Sequence, residues 1–117
     1  MIASLIEKIN NAGIPIEETM HIIAPNVNHA TYHEKVDAES GDDGGVLIKT
    51  YNVTLDYYEY QGVASKKEDL EDILNSYITN FENSKWTKDE RVFYQQEKVF
   101  CTTYRFSYKT KTYLELK

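Results

Sequence analysis

The stretch SKKEDLEDILNSYITNF, residues 65–81, decides the fold. Leu70, Ile73, Leu74, Tyr77, Ile78 and Phe81 recur at helical spacing, which predicts one amphipathic helix with an apolar stripe wide enough to cover a sheet. Its start is marked twice. Ser65 and Glu68 have the spacing of a capping box, in which the hydroxyl accepts from a first-turn amide while the glutamate reaches back. Glu68, Asp69, Glu71 and Asp72 lie near the positive end of the helix dipole, where a carboxylate stabilises by roughly 0.3–1 kcal/mol.

On either side, residues 46–60 and 91–108 read as strands that need such a cover. In the first, Leu47, Tyr51, Val53, Leu55 and Tyr57 share one face and Thr50, Asn52, Thr54 and Asp56 the other, with Lys49 interrupting the apolar side. Gly62 breaks the strand before the helix. In the second, Val92, Phe93, Tyr94, Val99, Phe100, Tyr104, Phe106 and Tyr108 run beyond Trp86. One strand over 91–108 would be about 60 Å long, against a radius of gyration near 13 Å for an ordinary domain of this length. The chain is therefore expected to fold back at residues 95–98 (QQEK) as a hairpin with strands near 91–95 and 98–109, or else to carry a bulge there. Residues 113–116 add an edge strand or form a tail.

Toward the N-terminus, Ile2, Leu5, Ile6 and Ile9 predict a short helix over residues 2–12, with Gly13 at the usual left-handed cap and Pro15 preventing its continuation. Residues 19–23 (TMHII) form a short candidate strand ended by Pro25 and Asn26. Residues 28–36 alternate weakly, as an edge strand or ordered loop. Residues 37–45 (DAESGDDGG) contain three of the five glycines and four acidic side chains without a large apolar one, and predict a flexible acidic loop. The resulting expectation is α+β: a mostly antiparallel sheet with an N-terminal helix and a central amphipathic helix packed on one face, within a single domain spanning 1–117.

The 117 residues, with ten tyrosines and four phenylalanines, have the composition of a folded β-rich domain. A net charge of −6 argues against nucleic-acid binding, which draws on clustered cations. Lys98, Arg105, Lys109, Lys111 and Lys117 do occur together, but along a strand pattern interleaved with Glu97 and Glu115. Cys101 has no partner for an internal disulfide, and MIASLIEKIN lacks the basic and apolar regions of a secretory leader, so a cytoplasmic protein is expected.

Catalytic and metal chemistry lack a constellation. His29, His33 and Asp37 would share a helix face, but their segment has no helical period. The acidic positions Asp37, Glu39, Asp42 and Asp43 lack the ligand spacing of a calcium loop. Cys101 lies among aromatic strand residues without an assignable base, and no glycine-rich phosphate loop or nucleophile elbow is present. No cofactor and no enzyme activity are expected. Tyr57, Tyr58 and Tyr60, with Tyr104 and Tyr108, exceed what one helix-covered face can take; the surplus reads as exposed sheet residues or as an interface.

The order of segments, from an N-terminal helix through VLIKTYNVTLDYY and KKEDLEDILNSYITNF to ERVFYQQEKVFCTTYRFSYKTK, resembles the small tail-completion proteins of long-tailed bacteriophages, and the tail terminators most. YRFSYK, residues 104–109, is the most suggestive local piece. The resemblance implies a structural protein of the virion neck, made in the bacterial host cytoplasm from a phage or prophage gene. Such proteins form a hexameric ring on the tail tube and meet the tail tube protein on one side and the head-tail connector on the other. It implies no membrane and no sequence-specific nucleic acid, although genomic DNA passes through the ring. Asp37, Glu39, Asp42, Asp43, Tyr58 and Tyr60 are the candidate interface residues. A head-completion or neck protein, and a small cytoplasmic binding module, are the alternatives.

Overall fold

The computed structural model describes residues 2–21, 27–40, 46–78 and 86–113. The element order is α1 (Ile2–Asn11), β1 (Ile16–Glu18), β2 (His29–Ser40), β3 (Val46–Tyr60), α2 (Lys67–Ile78), β4 (Trp86–Lys88), β5 (Val92–Tyr94) and β6 (Val99–Tyr113). The six strands form one sheet in the order β1-β2-β3-β6-β4, with β5 pairing β6 beside β4. β1 runs parallel to β2 and every other pair is antiparallel. This is the expected α+β architecture.

Both helices close over one face of the sheet. Leu5 and Ile9 of α1 and Leu70, Leu74 and Ile78 of α2 enter a single buried cluster with Val53, Leu55, Tyr57, Tyr104 and Phe106. The strand residues on this face alternate, as the period of two requires: Ala30, Tyr57 and the buried Thr102 are laterally paired, then the half-buried Tyr32, Leu55 and Tyr104. Polar bonds fix α2 over the sheet. The Tyr104 hydroxyl donates to Glu71 at 2.8 Å, Trp86 Nε1 donates to Asn75 Oδ1 at 2.8 Å, and Lys88 pairs with Glu71 at 3.2 Å.

Lys66 ties the two helices end to end. Gly13, at φ +86°, takes the left-handed position that stops α1, and the Ile14 amide donates back to the Ile9 carbonyl at 3.3 Å. The Lys66 ammonium then donates to the carbonyls of Ala12 and Gly13 at 3.2 and 3.3 Å, placing a cation at the negative end of α1. Its own backbone amide donates to the Tyr57 hydroxyl at 2.9 Å, and Ser65 Oγ accepts from the Lys67 amide at 3.2 Å to open α2.

Several expectations are corrected. The first strand lies at Ile16–Glu18 and not at 19–23, because Thr19 turns to φ +66° and ends it; Ile22 and Ile23 fall outside the described residues. Of the two alternatives for residues 28–36 the strand holds, within β2, although β1 covers its outer edge at residues 30–32. Asp37 and Glu39 are not in a flexible loop: β2 continues to Ser40, its ladder to residues 47–50 supplying what apolar side chains do not. Residues 41–45 of that expected loop, like Phe81 at the expected helix end and residues 114–116 of the expected edge strand or tail, lie outside the described residues. The hairpin at 95–98 forms as expected, with Lys98 at φ +57°, but its second strand runs to Tyr113. The short strand β4 had no counterpart in the sequence reading.

The 15-residue strands β3 and β6 outrun the helices. At ~3.4 Å per residue they span about 50 Å, whereas the 12 residues of α2 cover about 18 Å. Residues 53, 55, 57 and 59 of β3 are buried, and residues 47–52 are not. Beyond the helices, residues 33–40, 46–52 and 107–113 therefore continue as a three-stranded arm, and the molecule measures 60 × 26 × 25 Å with a radius of gyration of 16.7 Å. Tyr108, buried and stacked on Tyr51 at 4.7 Å, joins the base of the arm to the core cluster, and beyond it ladder hydrogen bonds carry the strands past the compact-domain radius expected from length. No helix among the described residues is long and apolar enough to cross a membrane.

Candidate functional site: an aromatic hollow and a projecting arm

The sheet face turned away from the helices carries an open hollow of about 350 Å³ at the end opposite the arm. Its walls are His29, Tyr58, Tyr60, Tyr94, Val99 and Glu97. The register places them there. His29 pairs across β3 with Tyr58, Tyr60 with Val99, and Val99 in turn with Tyr94, so that three strands present aromatic side chains on one face. Glu97 comes from the turn that joins β5 to β6.

The rings hold one another. His29 stacks on Tyr58 at 5.1 Å and 22° and approaches Tyr60 at 5.8 Å, while His21 meets His29 edge-on at 5.0 Å. His29 Nδ1 donates to the Val27 carbonyl at 3.0 Å and His21 Nε2 to the Ala30 carbonyl at 2.9 Å, which fixes both imidazoles. Burial lowers the His29 pKa, the Val27 hydrogen bond opposing it and the neighbouring His21 adding to it, so the ring is neutral near pH 7. Burial likewise raises the Tyr58 hydroxyl, with Asp56 adding to the shift. Asn28, beside His29, ties the end of β3 to the segment before α2: its Oδ1 accepts from the Tyr60 amide at 2.8 Å and its Nδ2 donates to the Ala64 carbonyl at 3.0 Å.

Of the candidate interface residues, Tyr58 and Tyr60 come together in the hollow, whereas Asp37 lies far away on the arm, where it accepts from Asn52 at 3.2 Å. Asp37 pairs with Thr50, eight positions from Tyr58 and about 27 Å along β3. Glu39 pairs with Ile48 through its backbone, its side chain lying outside the described set, as do Asp42 and Asp43. His29, Tyr94 and Glu97 were missed as site residues. The signal for them was the strand parity that puts positions 29, 58, 60, 94 and 99 on one face, and it becomes readable only when the pairing register is known.

Cys101 is buried next to this site, and burial, reinforced by the Asp56 carboxylate, pushes its thiol up to about 11. It stays protonated at neutral pH, the opposite of an activated nucleophile. His29 and His33 share a strand face four positions apart, not a helix turn, and no three His, Cys, Asp or Glu side chains among the described residues are grouped to hold a metal ion.

The arm has free edges on both sides. Among the described residues, no strand pairs with the outer edge of residues 33–40 in β2, or with the outer edge of residues 107–113 in β6, since β4 reaches only Phe106. The edge at β5 is apolar and open, with Val92, Phe93 and Tyr94 all exposed. Compared with protein-family models and with curated proteins, the chain matches none.

Proposed function

We propose that this chain is a structural assembly protein whose copies join through different surfaces at opposite sides of one sheet, without catalysis. More particularly, it is a tail-terminator or tail-completion protein of a long-tailed bacteriophage or prophage. Six copies close as a ring on the tail tube in the host cytoplasm, and the ring stays in the virion neck. There it contacts the tail tube protein and the head-tail connector, and genomic DNA passes through it.

The observation that carries this reading is the pairing of free edges. A head-to-tail contact closes into a ring only if each copy offers two distinct complementary surfaces. Among the described residues, β2 backbone is unpaired on one side, and on the other the end of β6 and the apolar β5 edge are unpaired. An exposed strand edge is ordinarily suppressed because it recruits further strands, so its retention over a long arm is consistent with a partner strand. The net charge of −6 suits a bore through which DNA slides without sticking.

Light scattering across a wide concentration range, combined with negative-stain imaging of the same fractions, tests it. Rings of six support the proposal. A strict monomer that also fails to associate with tail tubes overturns it in favour of a small binding module, which the open aromatic hollow would suit. Co-purification with a portal and not with a tube would move the same structural role to head completion.

A further inference from the structure

The hollow contains more than a generic apolar patch would need. Three tyrosines and a neutral imidazole line a space of about 350 Å³, and among the described lining residues the carboxylate is that of Glu97. Aromatic rings gathered beside a carboxylate favour an ammonium or guanidinium group, attracted by the carboxylate and by any ring face it can reach. The hollow is too open to enclose a free small cation. Its surroundings, with Val27 48% exposed, Val92 49% and Tyr94 46%, call for a protein surface laid over them.

The far end of the same sheet face presents the complementary group. Lys109 and Lys111 lie on the arm with the parity of Val99 and Cys101, opposite the uncharged Thr50 and Ile48. Both are exposed, and neither forms an ion pair among the described residues. Lys35 shares this face but has Asp37 two positions away, and Arg91 is already engaged on the other face by Glu59 at 3.6 Å and by the Phe100 ring at 3.8 Å. Lys109 cannot reach the hollow of its own chain, because Thr50, its cross-strand partner, is about 27 Å from Tyr58 along a continuous strand.

We infer that the aromatic hollow is the socket for the arm of a second copy of this chain, receiving the ammonium group of Lys109 or Lys111 among Tyr58, Tyr60, Tyr94 and His29, next to Glu97. This rests on the reading of the chain as one that assembles with its own copies, and it adds to the strand edges a separate contact on the sheet face. The lysine stem lies along the Tyr and Val surface while the ammonium meets the carboxylate, and the exposed Val92 and Val27 are covered by the arm strand.

The test is the self-association of full-length protein, read by light scattering and by zero-length carbodiimide cross-linking with peptide mass spectrometry. Tyr60→Leu, Glu97→Gln and the double variant Lys109→Gln/Lys111→Gln are each expected to weaken association by about tenfold, and Lys109→Arg/Lys111→Arg to preserve it. Thermal melts verify that each variant is folded. An intermolecular cross-link from Glu97 to Lys109 or Lys111 is expected in the wild type. Wild-type association in the glutamine variants, absence of the cross-link in associated material, or a strict monomer to millimolar concentration each overturns the socket. Negative-stain images report on the ring separately. Dimers that carry the cross-link uphold the socket and end the ring, whereas rings insensitive to these variants uphold the ring and end the socket.

Discussion

Leu74 has no solvent exposure and sits in the cluster that joins α2 to Leu55, Tyr57 and Tyr104. Its position was legible from spacing alone, because helical periodicity marks the buried stripe without knowledge of the partner. Truncation to alanine is expected to cost about 2–5 kcal/mol in urea unfolding, the range for a large core side chain whose cavity only partly collapses. His29 shows the opposite case. Nothing in NHATYHEKV distinguishes it from His33, yet the first is 8% exposed and stacked between rings while the second faces water. Its lowered pKa has a definite sign in the stability profile. The unfolded chain binds a proton near pH 6.5 that the folded chain takes up only at lower pH, so stability is lost as pH falls below about 6.5. Melting temperatures from pH 7.5 to 5 are expected to fall more steeply for the wild type than for His29→Phe, which removes the titration and keeps a stacked ring. Parallel slopes would show that His29 does not contribute.

Among the elements, those with a private signal were readable and those held by neighbours were not. α2 and β3 announce themselves through their periods. β2 past Val36 does not, since Asp37, Ala38, Glu39 and Ser40 are the composition of a loop and are extended only because residues 47–50 pair with them. β4 is three residues long, and Trp86 is recruited by Asn75 of α2, a partner distant in sequence. The helix junction allows a comparison between two glycines. Gly13 and Gly62 both have positive φ, +86° and +82°, but a Cβ at Gly13 would collide with the Lys66 ammonium that caps α1, while one at Gly62 would meet open space. Gly62→Ala is expected to cost roughly 1–2 kcal/mol from backbone strain alone. Gly13→Ala should cost more, with a further loss of α1 helicity by circular dichroism as Lys66 is displaced. Equal costs would mean that Lys66 simply swings aside.

For the whole molecule, the division between a helix-covered body and an uncovered arm predicts two levels of protection. Amide exchange is expected to be slowest at residues 53–59 of β3 and 102–106 of β6, which combine ladder bonds with a buried face, and substantially faster at the outer edges of residues 33–40 and 107–113. Were copies to join as proposed, the arm edges and the strands around the hollow would gain protection while the helix-covered core changed little. Uniform protection in the monomer would contradict the division. The sequence pattern reached the layered α+β class but not this shape. The compact radius rightly excludes an unbroken strand over 91–108, and the chain does fold back at 95–98, but it does not limit β6 to a compact length, because pairing with β3 sustains 15 residues without a core beneath each one.

The 60 × 26 × 25 Å outline also governs how one copy travels through solution. A body more than twice as long as it is wide meets greater friction than a sphere of equal mass. The 13.6 kDa monomer should therefore leave a size-exclusion column ahead of compact proteins of its own weight, and an elution volume by itself would mimic a dimer. Closing six such rods side by side would produce the reverse discrepancy, because a ring buries its length in its wall and diffuses more like a disc. The frictional ratio should then fall upon assembly even as the mass rises sixfold.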